Sequence, residues 1–550
     1  MLGLRGEKKG CKFMRVPATV ATQDADSATA YVGFDEEIEE AVACLSSRED
    51  GGFGIEEQVI DFTSKLTPFN HIEEIVKKLK DKGLIPSFNI NLTPSVPPGN
   101  YEPGFRRMAI FQKIIEVNYI LRNETNGGAI YEVIHPLTEF PKELTRIEMN
   151  FNILKNYILE TIDPTAKLKD IQIIPFIKDL PSLLNISNIV SEYFKAYPSM
   201  LTPLGYLRIF LGRSDCAMSC GLVPSTLATK IAISDLAALR EETGIPIYPI
   251  LNAGFLPFRG FCNPKYLDNI LAEYAGISTL TIPPSLRYDI DRRETQKMSA
   301  LLREKLQSQK PLSFSKREKN EMVNIISLFT AKYWESLYEI LLDTRIFDLI
   351  PSQRERPINV QDTGQTSFQD TIKQMAKMCT EKEISKQLLK FGELKFESKV
   401  KPIPFTATLY SIGLPPEFIG TGRGLNAVNE WKSDALEKLL DTYYPSLKES
   451  LSFASRFICM DAVQKALPKR VCEQVKEDLK QINEFINVDT NPEMSNEIVV
   501  HMISEYLSAH TLSKGDIKKE GLFDIIQGEE MFEIAQKLIL YAGKIRGALG

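Results

Sequence analysis

Histidine is scarce in this chain: four residues in 550, at positions 71, 135, 501 and 510. That all but excludes a multi-histidine metal centre and leaves little imidazole for acid–base work. His135 closes the apolar stretch 131–134 and reads as a packing residue at a strand end rather than a general base. The eight cysteines, at 11, 44, 216, 220, 262, 379, 459 and 472, include no Cys-x-x-Cys pair, and no histidine lies near them in sequence to complete a zinc set. They read as reduced thiols of a cytoplasmic protein. No run of about 18 apolar residues is present, so a membrane span is not expected. Basic residues are not in excess, with 66 Lys and Arg against 72 Asp and Glu for a net charge of −6. No basic stretch is interleaved with aromatics either, so nucleic acid is not an expected partner. Residues 1–13 read as a short extension, with Met14 as an alternative start; they lack the apolar core and small-residue cleavage site of a secretory signal.

What the chain does have is a hydrophobic content of 43%, enough for one large core. It also has a series of short apolar strands that each end in a polar cluster. Residues 171–177 run into Lys178 and Asp179, and 207–211 into Arg213, Ser214 and Asp215. Residues 247–251 lead to Pro257-Phe258-Arg259-Gly260, and 279–282 to Leu286-Arg287-Tyr288-Asp289. Helical stretches at 228–242 and 267–274 separate them, giving β-α units of about 35 residues. Three earlier strands, at 16–21, 88–92 and 132–134, bring the count to seven of the eight that a parallel barrel needs. The carboxyl ends of parallel strands open on one face, so these clusters converge there. Arginine forks suit phosphate or carboxylate, and aspartate suits Mg²⁺ or Mn²⁺. Any one strand-end charge could equally be a structural ion pair.

After residue 290 long amphipathic helices are expected at 293–309, 316–342, 371–391, 424–444, 470–485, 497–509 and 529–543. The sequence therefore divides into an extension at 1–13, a barrel at 14–290 and a mainly helical region at 291–550 whose tail returns to the barrel. Loops are expected at 350–356, which carries Arg354 and Arg356, at 404–424, and at the tail 543–550. The glycines at 420, 422 and 424 lack the dinucleotide and Walker spacings and read as a helix-entry turn.

Five stretches in order, Arg213–Met218, Leu256–Gly260, Leu286–Asp289, Ala407–Gly424 and Gly543–Gly550, resemble the archaeal-type phosphoenolpyruvate carboxylases. The resemblance covers the chain from Met14 onward. It implies a (β/α)8 TIM-like barrel wrapped in extra helices, assembled as a homotetramer. It also implies carboxylation of phosphoenolpyruvate by bicarbonate, giving oxaloacetate and phosphate, with Mg²⁺ or Mn²⁺. Carried over residue by residue, Asp215 matches a metal ligand, and Arg213, Arg259 and Arg287 match arginines of the site mouth. Arg354 and Arg356 match an Arg-x-Arg loop that binds substrate, and Arg546 to Gly550 match a tail that folds toward the catalytic end.

Several family positions are substituted. Asp24 stands where the family has the histidine of Thr-Gln-His-Pro-Asp, and Lys178 stands where it has a second metal-binding glutamate. Lys401 and Ser95 replace arginines, Pro283 replaces a glutamine, and Thr63 replaces a glutamate, leaving Lys65 of that triplet. A protonated ammonium cannot ligate Mg²⁺, and a carboxylate at 24 repels an anionic intermediate. Three readings follow: a carboxylase of unusual sequence, an impaired paralogue that binds an anion or serves as a regulatory or assembly subunit, and an enzyme for another phosphorylated or keto-acid substrate.

Overall fold

The structure, a computed structural model, describes residues 16–23, 27–30, 32–63, 66–98, 104–196, 205–342, 344–350, 368–394, 400–488, 492–511 and 522–550. Eight parallel strands close a barrel in sequential order. They are β1 Thr19–Ala21, β2 Glu57–Asp61, β3 Asn91–Ser95, β4 Glu132–His135, β5 Gln172–Ile177, β6 Leu207–Gly212, β7 Ile247–Asn252 and β8 Thr279–Ile282. β8 pairs back with β1, Thr19 facing Leu280. The longest register joins β6 to β7, from Leu207 opposite Ile247 to Gly212 opposite Asn252.

Side chains of period two fill the barrel in layers. The middle layer is apolar: Val20, Val59, Ile134, Ile174, Phe210 and Ile250 pack on one another. Two residues earlier on β2, β4 and β6 lies a charged floor. Arg208 Nη1 donates to Glu57 Oε1 at 2.9 Å and Glu132 Oε2 at 3.0 Å, and Nη2 donates to Glu57 Oε2 at 2.6 Å, all three side chains being buried. Burial pushes the Glu132 carboxyl up to about 7, against the opposing pull of Arg208.

β2 is the strand the sequence does not announce. Its inward positions are Glu57, Val59 and Asp61, so the apolar alternation is broken at both ends, and the buried Glu57 is met by Arg208 and by the Thr93 hydroxyl. The other seven strands lie at the expected places, shifted by up to three residues at their ends. Downstream, the expected helix 371–391 is two, Phe368–Met378 and Lys382–Gly392, and 424–444 breaks into Thr421–Trp431, Ser433–Lys438 and a π turn, Leu439–Tyr443. The expected loop at 404–410 is a helix, Pro402–Ser411. Its prolines at 402 and 404 fall in the first turn, where no intrahelical N–H bond is lost. Gly420 enters the Thr421–Trp431 helix with φ +70°, as a helix-entry turn should.

One helix among the described residues, Leu222–Thr243, is long and apolar enough to cross a membrane, although polar residues interrupt its sequence and a membrane span was not expected. It is packed inside the protein: 83% of its most apolar window is buried, between the barrel and the Lys316–Leu341 helix.

Candidate active site at the carboxyl ends of the strands

β5 and β6 lead into Lys178 and Asp215, the two positions that the resemblance matches to metal ligands. Because Ile174 faces the barrel interior, Phe176 and then Lys178 point the same way at the strand end. The Lys178 ammonium lies 5.0 Å from the centre of the Phe176 ring, a cation–π contact. No ion pair joins it to Asp215 among the described residues, so an ammonium neutralising Asp215 is not the arrangement found. Gly212 lets the two strand ends meet: a Cβ there would lie 2.9 Å from the Phe176 ring and 3.0 Å from the Lys178 Cα.

Asp215 stands half-buried in the first turn of the Ser214–Cys220 helix, and Asp179 caps the Leu180–Leu184 helix by accepting from the Ser182 amide at 2.9 Å. The second oxygen of Asp179, Oδ2, is buried without a hydrogen-bond partner. Burial raises the Asp179 carboxyl above the usual carboxylate range, and the nearby charge of Asp215 adds to the effect. A buried orphan oxygen next to a second carboxylate is a donor set that accepts a hard divalent ion, and Mg²⁺ ordinarily takes one or two carboxylates with water and substrate oxygens completing the shell. The residues present therefore fit Mg²⁺ or Mn²⁺, with Asp179 rather than position 178 beside Asp215.

The three strand-end arginines are engaged by the protein itself. Arg213 is fully buried. It donates to Tyr274 Oη at 3.1 Å, Ser225 Oγ at 2.5 Å, Thr226 Oγ1 at 2.8 Å and the carbonyls of Phe258 and Leu222 at 3.1 and 3.3 Å. Arg287 donates to Glu40 Oε1 and to the carbonyls of Ile282 and Thr22, at 2.6–2.9 Å. Arg259 donates to Ser214 Oγ at 3.1 Å and to the Gly550 carbonyl at 2.7 Å. An anion that met these forks directly would have to exchange with such partners. Lys401 is the half-buried cap residue of the Pro402–Ser411 helix, and Thr63 donates from amide and hydroxyl to Asp61 Oδ1, at 2.8 and 2.6 Å. Ser95 and Pro283 end β3 and begin the Pro284–Tyr288 turn of helix. Asp24, Lys65, Arg354 and Arg356 lie outside the described residues. His135 is buried against Thr138, and burial, with Arg107 nearby, pushes its imidazole down to about 3, which suits packing and not base catalysis.

The last residues of the sequence close over this end. The Leu549 amide donates to the Ser27 carbonyl at 3.0 Å, and Ala548 and Leu549 are fully buried. A Cβ on Gly550 would meet the Ile403 carbonyl oxygen at 2.5 Å, so only glycine reaches Arg259 there. Arg546 folds back on its own tail, donating to the carbonyls of Ala548, at 2.9 Å, and of Leu549. Its guanidinium lies 5.6 Å from the Tyr410 ring, and burial lowers it to about 10. Tyr410 Oη donates to Glu417 Oε1 at 2.6 Å, and the same oxygen accepts from the Phe258 amide at 2.8 Å. Tyr410 and Glu417 thus tie the tail to the turn that carries Arg259. Residue identity gave no hint of this role; both residues fall in the long stretch 407–424 that carried the resemblance.

Within the helical region, the fold also makes a pairing that spacing concealed. Cys459 and His501, 42 positions apart, approach to 3.6 Å between Sγ and Nε2, so a histidine does meet a cysteine in this chain.

Fold and site define a helix-wrapped (β/α)8 barrel with acidic, basic and backbone groups gathered at one end. The chain belongs to the phosphoenolpyruvate carboxylase family, whose model matches residues 16–550. It is 30% identical to the phosphoenolpyruvate carboxylase of Methanopyrus kandleri over 98% of this chain and 99% of that protein. It is 32% identical to the one of Methanosarcina acetivorans, over 97% and 99%. A malate synthase of Haloferax volcanii aligns in structure at 12% identity with a TM-score of 0.34, covering 79% of this chain and 97% of that one; at that score the likeness decides nothing.

Proposed function

We propose that this protein carboxylates phosphoenolpyruvate with bicarbonate to give oxaloacetate and phosphate, with Mg²⁺ or Mn²⁺, as a homotetramer in the cytoplasm. The observation that carries the reading is the Asp215–Asp179 pair at the strand ends, one carboxylate half-exposed and the other with a buried, unpartnered oxygen. In the reaction a bicarbonate oxygen forms a bond to phosphorus while the bond to the enol oxygen breaks, giving carboxyphosphate and the enolate of pyruvate. Carboxyphosphate then yields phosphate and carbon dioxide, and the enolate carbon bonds to the latter.

Asp215 and Asp179 would hold a divalent ion, which would supply positive charge for the developing enolate oxygen. The Lys178 ammonium, on its strand-end perch above Phe176, supplies one further positive charge for the phosphate. Arg213 and Arg287 act as positioning residues that hold the 257–260 turn and the β8 exit in place. Ala548 and Leu549, fully buried, shield this end from water, which a site handling free carbon dioxide needs. The cytoplasmic placement draws on the free state of the seven described cysteines, and the homotetramer on the family resemblance alone.

One observation favours a second reading, an impaired paralogue or an enzyme for another phosphorylated or keto-acid substrate. Lys178 takes the place of a metal-binding glutamate and brings a charge of the wrong sign for that role. Oxaloacetate formation from phosphoenolpyruvate and bicarbonate, coupled to malate dehydrogenase with and without Mg²⁺ or Mn²⁺, separates the two. Metal-dependent turnover supports carboxylation; no turnover from folded protein transfers the assignment to the second reading.

A further inference from the structure

We infer that Cys459, Glu497 and His501 form a second metal site, for a borderline-soft divalent ion of the zinc class, in the helical region of the molecule. The donor atoms of the three side chains all lie within 4.8 Å of one another. Glu497 and His501 are four residues apart on the Met494–Thr511 helix, so they project from one face a turn apart. Cys459 comes from the residue preceding the Met460–Ala466 helix.

The spacing is that of ligands around one ion. For Zn–S of about 2.3 Å and Zn–N of about 2.0–2.1 Å at a tetrahedral angle, sulfur and nitrogen lie about 3.5–3.6 Å apart. Cys459 Sγ and His501 Nε2 are 3.6 Å apart. A carboxylate oxygen in the same tetrahedron sits about 3.3–3.5 Å from the nitrogen and about 3.5–3.7 Å from the sulfur. Rotation of the half-buried Glu497 side chain spans the remaining gap. Three protein donors leave one coordination position open.

The cysteine is held in place before any metal arrives. Its amide donates to the Gly413 carbonyl at 2.9 Å, and Gly413 is at φ +83° with the cysteine so close that a Cβ there would lie 2.8 Å from Cys459 Cβ. Burial holds the free Cys459 thiol above its ordinary value, so a bound divalent ion would have to displace its proton. Ala462 and Val500 pack around it as an apolar wall. Thiolate, imidazole and carboxylate together select zinc or cobalt over Mg²⁺, which takes oxygen ligands in an octahedron. The site also differs from the Asp215 pair in reach. It staples the 459–466 segment to the helix preceding Leu522–Arg546, whose end carries the tail that meets Arg259.

The full-length protein, stripped with a chelator and exchanged into excess Mg²⁺, is titrated with Co²⁺ and then with Zn²⁺. One equivalent of Co²⁺ should bind with the visible bands of tetrahedral cobalt and a sulfur-to-cobalt charge-transfer band, and Zn²⁺ should displace it. C459S and H501Q should each abolish the charge-transfer or tetrahedral signature and weaken binding at least 100-fold, while C472S leaves both intact. Folding of each variant is checked by circular dichroism, and E497Q serves if C459S or H501Q does not fold. Octahedral cobalt bands, or an equivalent still bound with unchanged spectrum in H501Q or C459S, would overturn the assignment.

Discussion

Replacing Lys178 by glutamate is the perturbation with most leverage on what this barrel does. The lysine makes one described contact, the cation–π approach to Phe176 at 5.0 Å, worth about 0.5–1 kcal/mol at a half-exposed place. K178E should therefore fold. Its local charge falls by two units beside Asp215 and Asp179, whose carboxyl is already raised by burial and by Asp215. Without metal, a third carboxylate destabilises the apo protein, and the melting temperature drops. With metal the sign reverses. Unit charges about 4 Å apart interact by about 4 kcal/mol at an effective dielectric of 20. Exchanging plus for minus beside a doubly charged ion then leaves several kcal/mol after desolvation, a fall in Kd of at least about 100-fold. Calorimetric titration with Mn²⁺ measures this directly. Melting curves at an Mn²⁺ concentration 100 times the variant's Kd should show about 2.7 kcal/mol of stabilisation. Turnover, if the rest of the site is competent, should rise by about two orders of magnitude. Equal Mn²⁺ affinity in K178E and the parent protein would refute the reasoning, because position 178 would then not face the ion.

Three further outcomes are expected. R208M strands Glu57 and Glu132 in the barrel floor and should cost about 3–5 kcal/mol at pH 7.5, whereas the triple change R208M/E57L/E132L recovers most of the loss; thermal melts decide, and an R208M midpoint equal to the parent's would sink the idea. Burial lifts the Glu417 carboxyl to about 7 from an ordinary value of 4.5, so the folded protein holds a proton the unfolded chain has released across that window. Stability attributable to this group is thus present below about pH 4.5 and lost as pH rises through about 7, by roughly 3 kcal/mol, and E417Q should flatten that slope in a melt series from pH 5 to 8. Finally, G550A places a Cβ 2.5 Å from the Ile403 carbonyl and breaks the charged bond from Arg259, weakening tail docking by about 1.5–3 kcal/mol. Hydrogen exchange across 543–550 should accelerate about tenfold or more, and unchanged protection would show that the tail does not depend on Arg259.

Seven strands and the barrel itself were legible because parallel strands are apolar runs with polar exits, a pattern that needs no partner to be visible. β2 was not, because Glu57 reads as exposed until Arg208, 151 positions away, is placed opposite it. Single helices expected at 371–391 and 424–444 were broken by tertiary packing that periodicity does not register. Residue types and order put Asp215, Lys178 and the three arginines at strand ends, where the structure has them, but type alone could not say where a guanidinium points. Arg213 looks the same in sequence whether it faces phosphate or, as found, Ser225, Thr226 and Tyr274. Asp179 was visible as a strand-end residue; its unpartnered oxygen was not. Cys459 and His501 were dismissed as partners because only local spacing was available.

The closing tail has a temporal consequence. Residue 282 ends the last strand, and residue 550 lies 268 positions later. At about 5–20 residues per second, synthesis of that interval takes roughly 13–54 s, long enough for a domain to fold as it emerges. Throughout that interval Leu549 is not yet available to seat beside Ser27. A product ending before residue 543 would never make that contact.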